Sequence, residues 1–249
     1  MKIAICAANF VGKRLSSFVA EQDHPIEFAI TCENDSYEEE INNIFLTNNI
    51  QCHRAVNIND DYFLNLLKDN NIDLVFLLWW PKIVNKRTIH GAKLGFVNLH
   101  PSFLPYNRGK HPYYWSIVEG TPAGVSIHYI TENIDDGAIL CQKKIETDIT
   151  TTADVLYSES IKEIISLFKK NYNSIISQTL KRQKQNNSQS TFHLAKEINS
   201  HSEIDLQKEY RAIDLINVIR ARNFPGNPSS YFYLNGEKYY VNMVISKAK

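Results

Sequence analysis

Short apolar runs alternate with amphipathic stretches through the first half of the chain. KIAICA, IEFAITC and DLVFLLWW have strand length, CHRAV is a shorter run, and GKRLSSFVAEQ, YEEEINNIFLTNN and DDYFLNLLKDNN carry apolar residues at helical spacing. Strand and helix periods taking turns predict a largely parallel sheet covered by helices on both faces. The next apolar run, LGFVNLHPSFLP, holds Asn98 and His100 two residues apart. In an extended strand, residues i and i+2 share a face, so a carboxamide and an imidazole emerge side by side. Pro101 has no backbone donor and ends the ladder, which puts the pair at a strand's carboxyl end, where open α/β sheets bind ligands.

In the second half, HPYYWSIVEG predicts a helix, and the alternation in VSIHYI predicts a strand with one buried face. ENIDDG follows as a turn. Thr151 with Asp154 three residues later resembles a capping box, and Val155, Leu156, Ile161, Ile164, Ile165 and Phe168 give the next segment an apolar helical face reaching to about Lys181. KRQKQNNSQS is polar and aperiodic, so residues 183–191 are expected to be a linker. Beyond it, AIDLINVIRAR predicts a helix, and Asn235-Gly236 between aromatic β-formers predicts a hairpin. The expected fold is α/β: a Rossmann-like, mostly parallel sheet flanked by helices over residues 1–182, then a small helix plus β-hairpin subdomain over 192–249.

Composition narrows the function. With 43% apolar residues among 249, the chain can bury a sizeable core, and 27 basic against 27 acidic residues announce neither a nucleic-acid nor a membrane partner. The run from Leu74 to Trp80 is too short to cross a bilayer and the first residues lack a signal-peptide core, so a cytoplasmic location is expected. Cys6, Cys32, Cys52 and Cys141 lie far apart without metal-ligand spacing, so they read as thiols and no metal is expected. The loop AANFVGKR has one glycine, so the dinucleotide fingerprint is absent and a nicotinamide cofactor is disfavoured.

NLHPSFLP, Arg108-Gly109, VEGTPAGVSIHYI and IDDGAIL together make the stretch from Val75 to Leu140 resemble the folate-dependent formyltransferase family. The resemblance implies the formyltransferase fold, 10-formyltetrahydrofolate as formyl donor, and a triad of Asn, His and Asp with the Asp in a D-x-G pattern. Asn98 and His100 match directly. Gly137 selects Asp135 as the third member, the spacing from the histidine in many relatives selects Asp136, and both stay open. An amine would attack the formyl carbon, Asn98 and His100 would stabilise the oxyanion, His100 would shuttle a proton, and Asp135 would orient the imidazole. His128 alternates with apolar neighbours and is expected to be structural. The resemblance also implies a pterin pocket made by the backbone of Lys82, Ile83 and Val84, walled by Trp79 and Trp80, and closed by the turn with Asp136 and Gly137. Phosphate-bearing acceptors approach the loop carrying Asn9, Lys13 and Arg14 in relatives.

The acceptor is chosen by what surrounds that stretch. The zero net charge disfavours the tRNA branch, which demands a basic surface. The start of the chain at its first strand disfavours the formyltetrahydrofolate hydrolases, and the glycine-poor first loop disfavours the glycinamide ribonucleotide enzymes. YRAIDLINVIRARNFPGNPSSYFYLNGEKYYV is similar to the tail of sugar-nucleotide N-formyltransferases. By that resemblance Arg220 and Arg222 could face a pyrophosphate, though at i and i+2 on a helix they cannot both point one way, while Phe224 and Tyr231 could stack on a base or fill the core. The expected substrate is a dTDP-linked amino-deoxy sugar, with dTDP-4-amino-4,6-dideoxyglucose first, in lipopolysaccharide or O-antigen synthesis by a homodimer. A 3-amino-3,6-dideoxyhexose acceptor, a hydrolase, and a non-enzymatic Rossmann-like binding module are the alternatives.

Overall fold

The computed structural model describes residues 1–248. The chain forms β1 (Ile3–Ala7), α1 (Asn9–Ala20), β2 (Ile26–Thr31), α2 (Glu38–Thr47), β3 (Cys52–His53), α3 (Asp61–Asp69), β4 (Leu74–Leu78), α4 (Lys86–Ile89) and β5 (Gly95–His100) in its first part. It continues through β6 (Arg108–Gly109), α5 (Pro112–Glu119), β7 (Ala123–Tyr129), β8 (Ile139–Ile145), α6 (Ala153–Ile176), β9 (Phe192–His193), α7 (Glu197–His201), α8 (Ala212–Ala221), β10 (Ser230–Leu234) and β11 (Glu237–Val241). Seven strands make one sheet in the order β3-β2-β1-β4-β5-β7-β8, and the pairs from β3 to β5 are parallel.

Two compact units emerge. The first holds residues 1–100, 127–141 and 164–185; the second holds 101–126, 142–163 and 186–248. The compact units therefore interleave along the chain and depart from the sequential division at 183–191. In the first unit, β1 and β4 are buried at every position, as expected of central parallel strands whose two faces are both covered. Val11, Leu15 and Val19 form the buried stripe of α1, and Phe63 and Leu67 that of α3. Phe28, Phe63, Val75, Leu77 and Phe96 share one core cluster. Truncating a buried phenylalanine such as Phe63 to alanine costs about 3–5 kcal/mol through lost transfer energy and the cavity left behind.

In the second unit, β6 pairs with β9, and α5 packs on α8. His193 stacks on Trp115 at 3.8 Å between ring centroids and sits between Glu119 (2.9 Å) and Glu197 (3.2 Å). The expected hairpin forms: Asn235 and Gly236 both take positive φ, the geometry of a tight two-residue turn.

Three local expectations need correction. The helix expected to reach Lys181 stops at Ile176. The Thr151 hydroxyl does not cap α6, because it is engaged with Asp148, and the helix begins after Thr152. Residues 183–191 are not a free linker: Gln183 bridges Ile139 through two 2.8 Å backbone bonds and Gln185 is buried. All four cysteines are free. Among the described residues no helix is long and apolar enough to cross a membrane, and no cluster of metal-ligating side chains occurs.

Candidate active site

β5 ends at His100, and Pro101 follows, so Asn98 and His100 share one strand face at the carboxyl end of the sheet. His100 is 5% exposed, and its Nδ1 lies 3.5 Å from Asp135 Oδ2. Asp136 accepts from Asn133 Nδ2 at 3.1 Å. Asp135 has a positive φ, which Asp tolerates better than most residues. The glycine of the D-x-G pattern has a spatial reason: a Cβ at Gly137 would come within 1.7 Å of the Tyr129 carbonyl oxygen. Only a bare backbone passes there.

His128, expected to be structural, adjoins this constellation from β7. It is fully buried, and its Nδ1 lies 2.7 Å from the Tyr129 carbonyl oxygen. A carbonyl only accepts, so Nδ1 carries the proton and, in a neutral ring, Nε2 presents a lone pair. Nε2 lies 3.4 Å from Asn98 Nδ2 and 3.6 Å from Asp135 Oδ1. One Asn98 N–H is thereby directed to His128, and the second is available to a developing oxyanion. A buried residue on an apolar strand gives no sequence signal of this role, since its partners lie far away in the chain.

The loop after β4 is shaped to present backbone donors. Trp79 has a positive φ, and the Asn59 carboxamide braces the segment by donating to the Ile83 carbonyl (2.9 Å) and accepting from the Asn85 N–H (2.8 Å). The N–H groups of Lys82, Ile83 and Val84 then donate to no acceptor among the described residues. Three open amides beside a strand end fit the flat donor–acceptor edge of a pterin. Lys82 and Ile83 are exposed, Val84 packs on the core cluster, and the Lys82 ammonium lies 3.6 Å from Glu33. Trp80 is a core residue rather than a free wall, 8% exposed, with an indole N–H that has no partner.

The residues expected to hold the nucleotide fare differently. The Asn9 N–H at the start of α1 is held by the Asp35 carboxylate, which fills the anion position that a helix N-terminus offers a phosphate. Arg14 is exposed on α1. Arg220 does not face a ligand: its Nη1 donates to the carbonyls of Asp148 (2.9 Å) and Thr151 (2.6 Å), and its Nε to Asn217. Those carbonyls border the start of α6 and need a donor, which the guanidinium supplies. Arg222 is 8% exposed and its Nε has no hydrogen-bond partner. Phe224 packs against Tyr157 at 5.3 Å, and the Tyr231 hydroxyl bonds Glu203 at 3.1 Å with Lys238 over its ring.

Comparison with known proteins follows these lines. A formyl transferase model matches residues 21–168, and an N-formyltransferase dimerization C-terminal domain model matches 197–247. Methionyl-tRNA formyltransferase of Prochlorococcus marinus is 35% identical over 133 residues, 50% of this chain and 40% of that protein. GDP-perosamine N-formyltransferase of Brucella melitensis is 36% identical over 114 residues, 45% of this chain and 44% of that protein. The chain spans between 40% and 64% of the length of the first curated relatives it matches. WlaRD, a sugar 3N-formyl transferase solved in the presence of dTDP and 5-N-formyl-THF, superimposes with a TM-score of 0.74 at 27% identity, covering 96% of this chain and 84% of that one. The formyl transferase model takes in β5, the D-x-G turn and more than half of the chain, so the chain belongs to the formyl transferase family.

Proposed function

We propose that the protein transfers the formyl group of 10-formyltetrahydrofolate to the amine of a nucleotide-linked amino sugar. The observation that carries this reading is the approach of Asp135 to His100 on the strand face that also bears Asn98, beside a loop with three open amides. The folate supplies the activated formyl carbon. The second N–H of Asn98 and the protonated Nε2 of His100 donate to the oxyanion as the amine adds; His100 then gives that proton to the leaving folate nitrogen as its bond to the formyl carbon breaks, and takes one from the attacking nitrogen. Asp135 is the carboxylate assigned to orient the imidazole. Lys82, Ile83 and Val84 bind the pterin edge through their backbone, with Asp136 and Gly137 in the turn beside it. Arg222, whose Nε has no hydrogen-bond partner, is assigned to the nucleotide.

The named sugar N-formyltransferases among the relatives support a sugar acceptor, and the 27% identical one, solved with dTDP, supports a dTDP-linked sugar. We assign dTDP-4-amino-4,6-dideoxyglucose as substrate in surface polysaccharide synthesis. The 3-amino isomer is the second reading, favoured by the 3N specificity of WlaRD. A homodimer is supported by the dimerization-domain match and by the exposed Tyr233, Leu234, Tyr239 and Tyr240 on the terminal hairpin. Incubation with 10-formyltetrahydrofolate and a panel of dTDP-amino sugars, with glycinamide ribonucleotide alongside, read by mass spectrometry, tests the assignment. A gain of one formyl group on the 4-amino sugar is expected. Product on glycinamide ribonucleotide alone removes the sugar, and free tetrahydrofolate and formate without any formylated amine makes the protein a hydrolase.

A further inference from the structure

The turn carrying Asp135 has an unusual fastening. Gln185, 6% exposed, donates from one nitrogen to two carbonyls of that turn: Nε2 lies 2.8 Å from the Asp135 oxygen and 2.7 Å from the Gly137 oxygen. Both carbonyls only accept, so the carboxamide has one possible orientation, with both N–H groups in use. Its own segment is anchored in turn. Gln183 bridges Ile139, and Arg182 lies 4.1 Å over the Tyr129 ring while donating to the Tyr129 hydroxyl. Ile139 starts β8 and Tyr129 ends β7, the two strands that flank the turn. Gln185 therefore ties the tip of the turn to the strands at its base.

The tie bears on the Asp135 side chain. A left-handed conformation is disfavoured for residues with a Cβ and persists where the surroundings over-determine it. The Asp135 carbonyl belongs to the peptide that follows its own Cα, the Gly137 carbonyl lies two residues further along the turn, and Gln185 holds both. Releasing them lets the backbone leave the left-handed region, which swings the carboxylate away from His100. We propose that Gln185 is a positioning residue for formyl transfer, holding the Asp135–Gly137 turn so that the carboxylate stays against His100. This rests on the formyltransferase reading above.

The decisive experiment is a double-mutant cycle between Gln185→Met, which keeps volume but removes both donors, and Asp135→Asn. A displacement of catalytic groups by about an ångström costs on the order of a hundredfold, so kcat of Gln185→Met is expected to fall about tenfold to a hundredfold. Folate affinity measured by calorimetry is expected to fall less than kcat, since the amides of Lys82, Ile83 and Val84 assigned to the pterin edge lie outside the turn that Gln185 holds. In the Asp135→Asn background the same change costs less than about twofold, because residues acting through one another are non-additive. Gln185→Glu is the second variant if the methionine protein does not fold. Its carboxylate faces two carbonyls, and its deficit relative to wild type shrinks as the pH is lowered and one donor returns. Unchanged kcat in folded Gln185→Met, or a full multiplicative loss in the Asp135→Asn background, overturns the proposal. A wild-type protein that formylates no amine overturns the functional reading instead, and faster amide exchange across the Asp135–Gly137 turn in Gln185→Met then still decides whether Gln185 holds it.

Discussion

Around the end of β5, polar side chains approach one another at long distances. The His100–Asp135 contact is 3.5 Å, and Asn98 reaches His128 at 3.4 Å. The RARNFPG tail has the opposite character. Arg220 reaches its acceptors at 2.6 to 2.9 Å, and Phe224 and Tyr231 have aromatic, cationic and carboxylate neighbours of their own. Groups with tight internal partners build the fold, and groups whose contacts leave capacity are available to a ligand. Arg222 is the exception in the tail, with its unpartnered Nε.

The largest effects should separate the two regions by activity. Asn98→Ala, His100→Ala and Asp135→Asn are each expected to lower kcat by about a hundredfold or more, the usual cost of losing an oxyanion donor or its support, while the melting temperature stays near that of wild type. Asp136→Asn should be milder. A larger loss at Asp136 than at Asp135 transfers the triad role between them.

Next comes stability without activity. Arg220→Met leaves the part-buried carbonyls of Asp148 and Thr151 without this donor, a loss of about 1 kcal/mol. Denaturant unfolding should show it, with KM for the sugar nucleotide unchanged. A raised KM in a protein of normal stability would return Arg220 to the substrate.

Much of this comparison was legible in the sequence, for reasons that differ by element. Alternating strand and helix periods located β1, β2, β4 and β5 because parallel strands concentrate apolar residues, and the N-x-H spacing put Asn98 and His100 on one face of β5 because a strand's period is two. Asn235-Gly236 located the hairpin by turn chemistry. The rest depends on partners distant in sequence. Gln185 reads as linker because its acceptors lie 50 and 48 residues earlier, Arg220 reads as a ligand because its acceptors lie 72 and 69 residues earlier, and the two-residue strands β6 and β9 have no periodicity to detect.

A smaller effect tests whether the loop after β4 works through its backbone. Lys82→Ala removes only an exposed ammonium and should change folate affinity by less than about twofold, whereas Ile83→Pro removes one of the three open amides and should weaken it by about tenfold. Calorimetric titration showing the reverse order would sink the pterin assignment to these amides.

The smallest effect is pH dependence, which sharpens the comparison of the two compact units. Burial lowers the pKa of His111, with Arg222 and then Lys110 acting in the same direction and a backbone bond from Ala195 opposing. His201 is lowered chiefly by burial, against an opposing Glu119, with His193 and Lys208 adding to the burial. Both lie in the second unit, while the first has His53, lowered by burial. A folded-state value below the unfolded value of about 6.5 means that the unfolded chain binds the proton first as pH falls. This stabilisation is therefore fully present above about pH 6.5 and is lost as the pH falls through that value toward the folded-state pKa. Melting temperature should drop between pH 7.5 and 5.5, and the joint change His111→Asn with His201→Gln should flatten that slope more than His53→Gln does. An equal slope in the double variant and wild type would show that these imidazoles are not what makes the fold sensitive to mild acid.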